Sequence, residues 1–552
     1  MPLRLALSLL AAAFASVAFG ARAPGVTRAF ERQRASPPLT LEQARRAAAR
    51  GRRLEAPAED DPVEQVHIMP GLSGAVTVVF LSRERGVPSR VLFGSAGRLD
   101  RSAEGRVRTY TTLQCPEGDY LTSPPMGAPP MALQDLADVV NTSAFSPEES
   151  AQYLRLNSAS EAWGALPEGC VDYKNPRGYW VSKYIHSVTL PDLEPDTEYT
   201  YRPAAGTREF TFMTPPSPGH QSGPLRIGLM ADIGSTNVSK ATMDALLGQD
   251  LDLLFVAGDY SYADGWAELW DTFGILAEPL MSSVPHVGVP GNHEISSGRY
   301  QGRDWEMRYP MPFASDSPWW YSYEVGLVHV VGLAGSYAPT GPGSPQNEFL
   351  KEDLEAVDRT RTPWVVVLFH TPWYNSNSYH YLEGFNAQQD LEATLYQHGV
   401  DLVVNGHVHS YERSHPVYNG TADPCGITHL VVGDAGNYEG PSTGGWRQPQ
   451  PTWSAFREAS FGAGVLVVEN STHASWQWRR AACATESGTR AGGDPHFTWT
   501  GPAPHGNCTT AGDNSAQAYE ASDEVLLVRD AHACPNRAGS RRLRVAAPGL
   551  VI

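Results

Sequence analysis

Between residues 226 and 409, five short apolar runs each end in a side chain that binds hard or borderline cations. Arg226–Ala231 leads into Asp232, Leu251–Ala257 into Asp259 and Tyr262, and Val287–Pro290 into Asn292. Trp364–Phe369 leads into His370, and Val400–Val404 into His407 and His409. Runs this short and β-branched read as buried strands. In open α/β sheets, ligands gather just beyond the carboxyl ends of such strands. The seven oxygen and nitrogen donors are of kinds that bind hard or borderline cations. In Asn405-Gly-His-Val-His409, the two histidines stand at i and i+2. On an extended backbone they point the same way, with Cα atoms about 6–7 Å apart. The ions of a hydrolytic pair sit about 3.5–4 Å apart, so each histidine can serve one. A lone His-x-His is ordinarily a surface pair and a lone Asp a cap; five such endings in order favour a dimetal site.

At these residues the chain resembles the purple acid phosphatases, a branch of the calcineurin-like metallophosphoesterases. The blocks are Ala231-Asp-Ile-Gly234, Gly258-Asp-Tyr-Ser-Tyr262, Gly291-Asn-His-Glu294, Val367-Leu-Phe-His370 and Gly406-His-Val-His409, with Gly433–Asn437 and Ser454–Gly462 also similar. Most metallophosphoesterases carry a histidine two residues after the first aspartate, where this chain has Gly234. The purple branch supplies a tyrosinate instead, and Tyr262 stands at its spacing, three residues after Asp259. The resemblance implies an N-terminal fibronectin type III-like β-sandwich followed by a C-terminal α/β sandwich metallophosphoesterase domain. It implies that Asp259 bridges two ions. Asp232, Tyr262 and His409 would complete an Fe(III) site, and Asn292, His370 and His407 a site for zinc, manganese or ferrous iron.

The implied reaction is hydrolysis of phosphate monoesters by metal-bound hydroxide without a phosphoenzyme. His293, beside Asn292, and His380, in the loop after His370, are the expected catalytic histidines. Asn292, His293, Tyr379 and His380 are the expected substrate contacts. Plant relatives often have two histidines at the end of that loop; here the first position is Tyr379, which leaves substrate preference open. A phytase or phosphodiesterase on the same metal pair is the alternative within enzymes. A non-catalytic binding glycoprotein is the alternative outside them, and the complete donor set argues against it.

Length and charge set the frame. The 552 residues suffice for two domains, 41% are hydrophobic, and 42 Lys+Arg against 60 Asp+Glu give a net charge of −18. Nucleic acid, which needs a basic face, is not an expected partner. Residues 1–23 read as a signal peptide, with Arg4 before an apolar stretch and a small-residue cleavage site. No later run is long enough for a transmembrane helix. The protein is therefore expected to be secreted, or vacuolar or lysosomal by the same route. The sequons at Asn141, Asn237, Asn419, Asn470 and Asn507 agree with that route, as do six cysteines without a C-x-x-C. Cys115 and Cys170 bracket one irregular stretch and make the first pairing to consider; buried free thiols are the other reading.

An Arg/Ala/Pro-rich linker or pro-segment covers 24–61, and the sandwich 62–215 with an insertion at 112–174. The catalytic domain covers 224–530 with an insertion at 483–515. The tail, 531–552, carries no assignment. Thr214–Gly219 reads as the connection between the two domains. A homodimer stays open.

Overall fold

The computed structural model describes residues 61–71, 74–113, 179–264, 267–295, 302–311, 317–442, 445–481, 521–533 and 541–546. The expected signal peptide, nearly all of the 24–61 segment, most of both insertions, Asn141 and Asn507 lie outside these residues. So does the proposed Cys115–Cys170 pair. Of the six cysteines only Cys425 is described, and its thiol is not free.

The N-terminal strands are β1 (Val63–Pro70), β2 (Val76–Ser82), β3 (Arg90–Ser95), β4 (Arg101–Glu104) and β5 (Arg106–Arg108), then β6 (Thr111–Leu113), β7 (Tyr179–Val181), β8 (Tyr184–Leu190), β9 (Glu198–Pro203) and β10 (Phe210–Met213). They build two four-stranded sheets, ordered β1-β2-β8-β5 and β10-β9-β3-β4, with β6 and β7 pairing separately. Alternation explains the packing: Phe210 and Phe212 are buried while Thr211 and Met213 are exposed, as expected of strands with one wet face. The expected sandwich is therefore present. Strands β4 to β7 were not anticipated; they are short and lack the apolar alternation that marks the others.

The second domain begins with β11 (Leu225–Met230), α1 (Asn237–Leu247), β12 (Leu253–Val256), α2 (Glu268–Met281), β13 (His286–Gly288), α3 (Asn292–Ile295) and α4 (Arg303–Arg308). It continues through β14 (Tyr321–Val325), β15 (Val328–Gly332), α5 (Pro345–Ala356), β16 (Trp364–Leu368), α6 (Phe385–Gln397), β17 (Leu402–Asn405) and β18 (Tyr411–Ser414). A small hairpin, β19 (Val417–Tyr418) and β20 (Thr421–Ala422), precedes β21 (Thr428–Val432) and β22 (Ser454–Glu458). The last strands are β23 (Gly462–Val468), β24 (His473–Arg480), β25 (Ala521–Ala533) and β26 (Arg541–Ala546).

Two seven-stranded sheets result, β13-β12-β11-β23-β24-β25-β26 and β14-β15-β16-β17-β21-β18-β22. The tail is thus not featureless: β26 pairs antiparallel with β25 and closes one edge, so the domain extends past residue 530. Its Arg-rich composition hid the strand. β16 shows why the apolar runs are unbroken. Trp364, Val366 and Leu368 join the core shared by both sheets, whereas Val365 and Val367 pack with Leu350 of α5 and Leu391 of α6. Both faces of the strand are buried.

Thr214–Gly219 has no regular structure, yet it is not a loose tether. Gly219 N donates to Gly326 O at 2.7 Å and Gly326 N to Pro216 O at 3.2 Å. The domains also share ion pairs, Arg208 with Glu278 and Lys183 with Asp271 at 3.0 Å, while Arg308, paired with Asp271 inside the second domain, donates across the seam to Gln65 Oε1 at 2.9 Å. Of the described sequons, Asn419 and Asn470 sit exposed in turns, whereas Asn237 is half-buried at the start of α1. There the sequon hydroxyl of Ser239 closes the helix cap with Thr236.

Candidate metal centre

Strands β11, β12 and β13 run parallel in one sheet, and β15, β16, β17 and β21 in the other. The expected donors therefore all leave carboxyl strand ends, from two different sheets. Asp232, Asp259, Tyr262 and His407 have φ of 54°, 53°, 53° and 69°, in the left-handed region. That costs L-residues about 1–2 kcal/mol each, and such strain held by surrounding structure gathers at functional sites. The left-handed φ of His407 corrects the extended His-x-His expected from sequence. β17 ends at Asn405 and the chain bends, so the two rings reach different clusters.

One cluster joins Asp232, Tyr262 and His409. Tyr262 Oη lies 3.0 Å from Asp232 Oδ1 and 2.8 Å from His409 Nε2. The other joins Asn292, His370 and His407: Asn292 Oδ1 lies 3.1 Å from His370 Nε2 and 2.8 Å from His407 Nδ1. Asp259 stands between them. Its Oδ1 accepts from His293 N at 2.9 Å, while the buried Oδ2 pairs with His370 Nε2 at 2.9 Å. Asp259, His370 and His407 present ligand atoms within 4.8 Å of one another. All seven predicted donors are thus brought together.

The remaining ring nitrogens face oxygens. His370 Nδ1 meets Ala257 O at 2.7 Å, His409 Nδ1 meets Gly440 O at 3.2 Å, and His407 Nε2 meets Glu383 Oε2 at 2.7 Å. This is the second contact that metal-binding histidines use to fix tautomer and ring orientation. The electrostatics point the same way. Burial alone lowers His370, but Asp259 and Asp232 outweigh it and raise the ring to about 9. His409 rises to about 9 against burial through Asp232 and Glu439. Burial pushes the Asp259 carboxyl up, but His370 and His293 hold it well below the usual carboxylate range. Burial, then Asp232 and Asp259, push the Tyr262 hydroxyl well up. The donor set and the buried carboxylates within it together fit positive ions.

Gly234 explains the departure from most relatives. At φ 68° a Cβ there would stand 2.9 Å from Asn437 Cα, so no side chain fits where a histidine ligand is usual.

The cavity over the cluster is ≈ 220 Å³ and is also lined by His293, His380, Tyr337, Thr371, Glu383 and Glu439. Both expected catalytic histidines therefore face it. Tyr379 does not line it; its backbone is held by Asn375 and Asn377. Sequence reading missed several carboxylates. Asp264 holds His293 Nδ1 and accepts from Tyr438 Oη at 2.5 Å. Glu383 bridges His407 and His380, the latter at 3.1 Å. Glu294 accepts from Asp259 N, Tyr260 N and Gly291 N at 2.8, 2.9 and 2.8 Å, tying two ligand loops together. Only Glu383, three residues after His380 in the same turn, stood near an expected site residue in the sequence.

Comparison with known proteins settles the family. Residues 225–411 match the calcineurin-like phosphoesterase family, and 426–488 the iron/zinc purple acid phosphatase-like protein C family. Purple acid phosphatase 18 of Arabidopsis thaliana is 44% identical over 302 residues, covering 54% of this chain and 68% of that protein. The chain belongs to the purple acid phosphatases. Within the family it is 39% identical over 326 residues to the phosphoenolpyruvate phosphatase of Allium cepa, covering 54% of this chain and 67% of that one. A solved purple acid phosphatase from yellow lupin (Lupinus luteus) seeds shares the fold, with TM-score 0.56, 22% identity, and coverage of 76% and 72%. The enzyme is a dimetal phosphoesterase that hydrolyses phosphate monoesters.

Proposed function

We propose that this purple acid phosphatase binds Fe(III) at Asp232, Tyr262 and His409 and a divalent ion (zinc, manganese or ferrous iron) at Asn292, His370 and His407, with Asp259 shared. The observation that carries this reading is the buried Asp259 carboxylate, set between the two donor clusters with Oδ2 2.9 Å from His370 Nε2. A paired cation site neutralises phosphate oxygens and makes water nucleophilic at low pH. The harder ion is assigned to the phenolate and carboxylate donors, the divalent one to imidazole and amide. Burial and carboxylates oppose ionisation of Tyr262, so only a strongly charged neighbour would make it a phenolate.

The chain's own groups would do the rest. His293, anchored by Asp264, sits with Nε2 3.9 Å from Asp259 Oδ2, where it would contact the substrate's phosphate. His380, turned into the cavity by Glu383, donates a proton to the departing ester oxygen. Water attacks the phosphorus directly and no protein nucleophile is involved. Among the relatives is one named for phosphoenolpyruvate, whose leaving group is an enolate; a substrate panel of alkyl, aryl and enol monoesters with a diester and phytate tests the class. Monoester turnover well above diester turnover is expected, and preferred diester hydrolysis would overturn it. We place the protein in the secretory route, with glycans at Asn419 and Asn470 and a disulfide at Cys425; glycosidase shift and thiol titration of secreted protein test this.

A further inference from the structure

Among the described residues, the large apolar side chains left exposed are Met213 (41%), Tyr381 (37%), Leu382 (52%) and Phe385 (46%). Three of these four fall within 381–385, directly after His380 and around Glu383, both of which line the cavity. Exposed apolar groups scattered singly need no explanation; three within five residues, interleaved with two cavity-lining side chains, do.

The segment is built as a fixed turn. Glu383 N donates to His380 O at 3.2 Å and Phe385 N to Leu382 O at 3.1 Å. His380 and Leu382 adopt φ of 56° and 66°. Gly384 lies so close to the loop after His370 that a Cβ would stand 2.6 Å from Pro372 O. Arg447 places its guanidinium 3.9 Å over the Tyr381 ring, and its own N–H bonds Ser376 O at 2.8 Å. The apolar side chains are therefore presented to solvent by a backbone that is pinned on both sides.

We propose that Tyr381, Leu382 and Phe385 form a platform for the leaving group, favouring phosphate monoesters of apolar or aromatic alcohols over those of small polar ones. The inference rests on the monoesterase reading above. The phosphate is held at the metal donors in the floor of the cavity, and the alcohol must point outward. The proton for that alcohol comes from His380, so its carbon skeleton passes over the residues that follow His380. An apolar skeleton covers them and is itself covered, which lowers the barrier by the area removed from water.

The test compares kcat/KM of wild type, Leu382→Asn, Phe385→Ser and the double variant on methyl phosphate and 2-phenylethyl phosphate, two alkyl esters. Asn is chosen because it tolerates positive φ. The double variant is expected to lose about 10-fold on 2-phenylethyl phosphate and less than about two-fold on methyl phosphate, with metal content unchanged. An equal loss on both esters overturns the proposal, because the turn then acts only through His380. So does no loss on either. So does a concentration-dependent dimer that the double variant abolishes, which would make the patch an interface between copies. A wild type inactive on both esters overturns the monoesterase reading and the platform together, and its own inactivity identifies that case.

Discussion

Two regions of this molecule bury dense sets of carboxylates and balance them in opposite ways. At the seam between the domains, Asp271 meets Lys183 and Arg308, and Glu278 meets Arg208 and Val66 N. Every one of these acids has a fixed cation of the chain itself. At the metal centre, Asp232 and Asp259 face imidazoles and a phenol, with no lysine or arginine among these partners. The lesson is that buried acid does not by itself mark an active site. The mark is buried acid whose partners are metal donors and not the fixed cations of lysine or arginine.

The contrast predicts different failures. Asp259→Ala should lose both ions and at least about 10³-fold in kcat, since the paired cations supply several kcal/mol. Asp271→Ala should leave kcat and metal content near wild type. A variant series in which Asp271→Ala strips the metals would erase the distinction.

The reverse holds for stability. Asp271→Ala removes a buried carboxylate partner from Arg308 and Lys183, which keep Gln65 and Glu64 respectively, and should cost about 3 kcal/mol in urea unfolding of the metal-loaded enzyme. Little or no cost would mean that the seam is not held by these pairs.

Acid should separate the regions further. His186 in β8 is buried between Ser82 and Ser89 and stacked on Phe80. Burial lowers its ring to about 4 from the usual 6.5. The unfolded chain then takes up the proton first. The contribution is complete above about pH 6.5 and is lost as pH falls toward 4, up to about 3 kcal/mol. His186→Gln should flatten the urea midpoint between pH 7 and 4; an unchanged slope would place the acid sensitivity elsewhere.

The smallest effect is the most selective. His380→Ala should slow alkyl phosphates about 10²-fold and nitrophenyl phosphate far less, with both ions retained. Equal slowing would make His380 a phosphate contact.

These residues also show what could be read from the sequence. The five strand endings were legible because β-branched runs and donor residues repeat in order, and each donor is where its strand stops. The conformation of His407 was not, because a left-handed residue leaves no trace in a His-x-His pattern. Asp264, Glu294 and Glu439 were invisible for a different reason. Acids are common, and only the fold tells which of them face an imidazole or a row of backbone N–H groups. Tyr379 shows the converse case. Its position in the motif suggested a substrate contact, yet the loop places His380 and Glu383 at the cavity in its stead. In the sandwich, the alternating strands were readable and the short polar ones were not.

The central claim is a bridged pair of unlike ions with Tyr262 on the iron. Metal analysis with visible spectroscopy of the purified protein and of Tyr262→Phe tests it most directly. The account predicts about two ions per chain, iron among them, a purple or pink wild type, and loss of the band in the variant. An iron-free protein, a single ion per chain, or a Tyr262→Phe variant that keeps its full colour would contradict it.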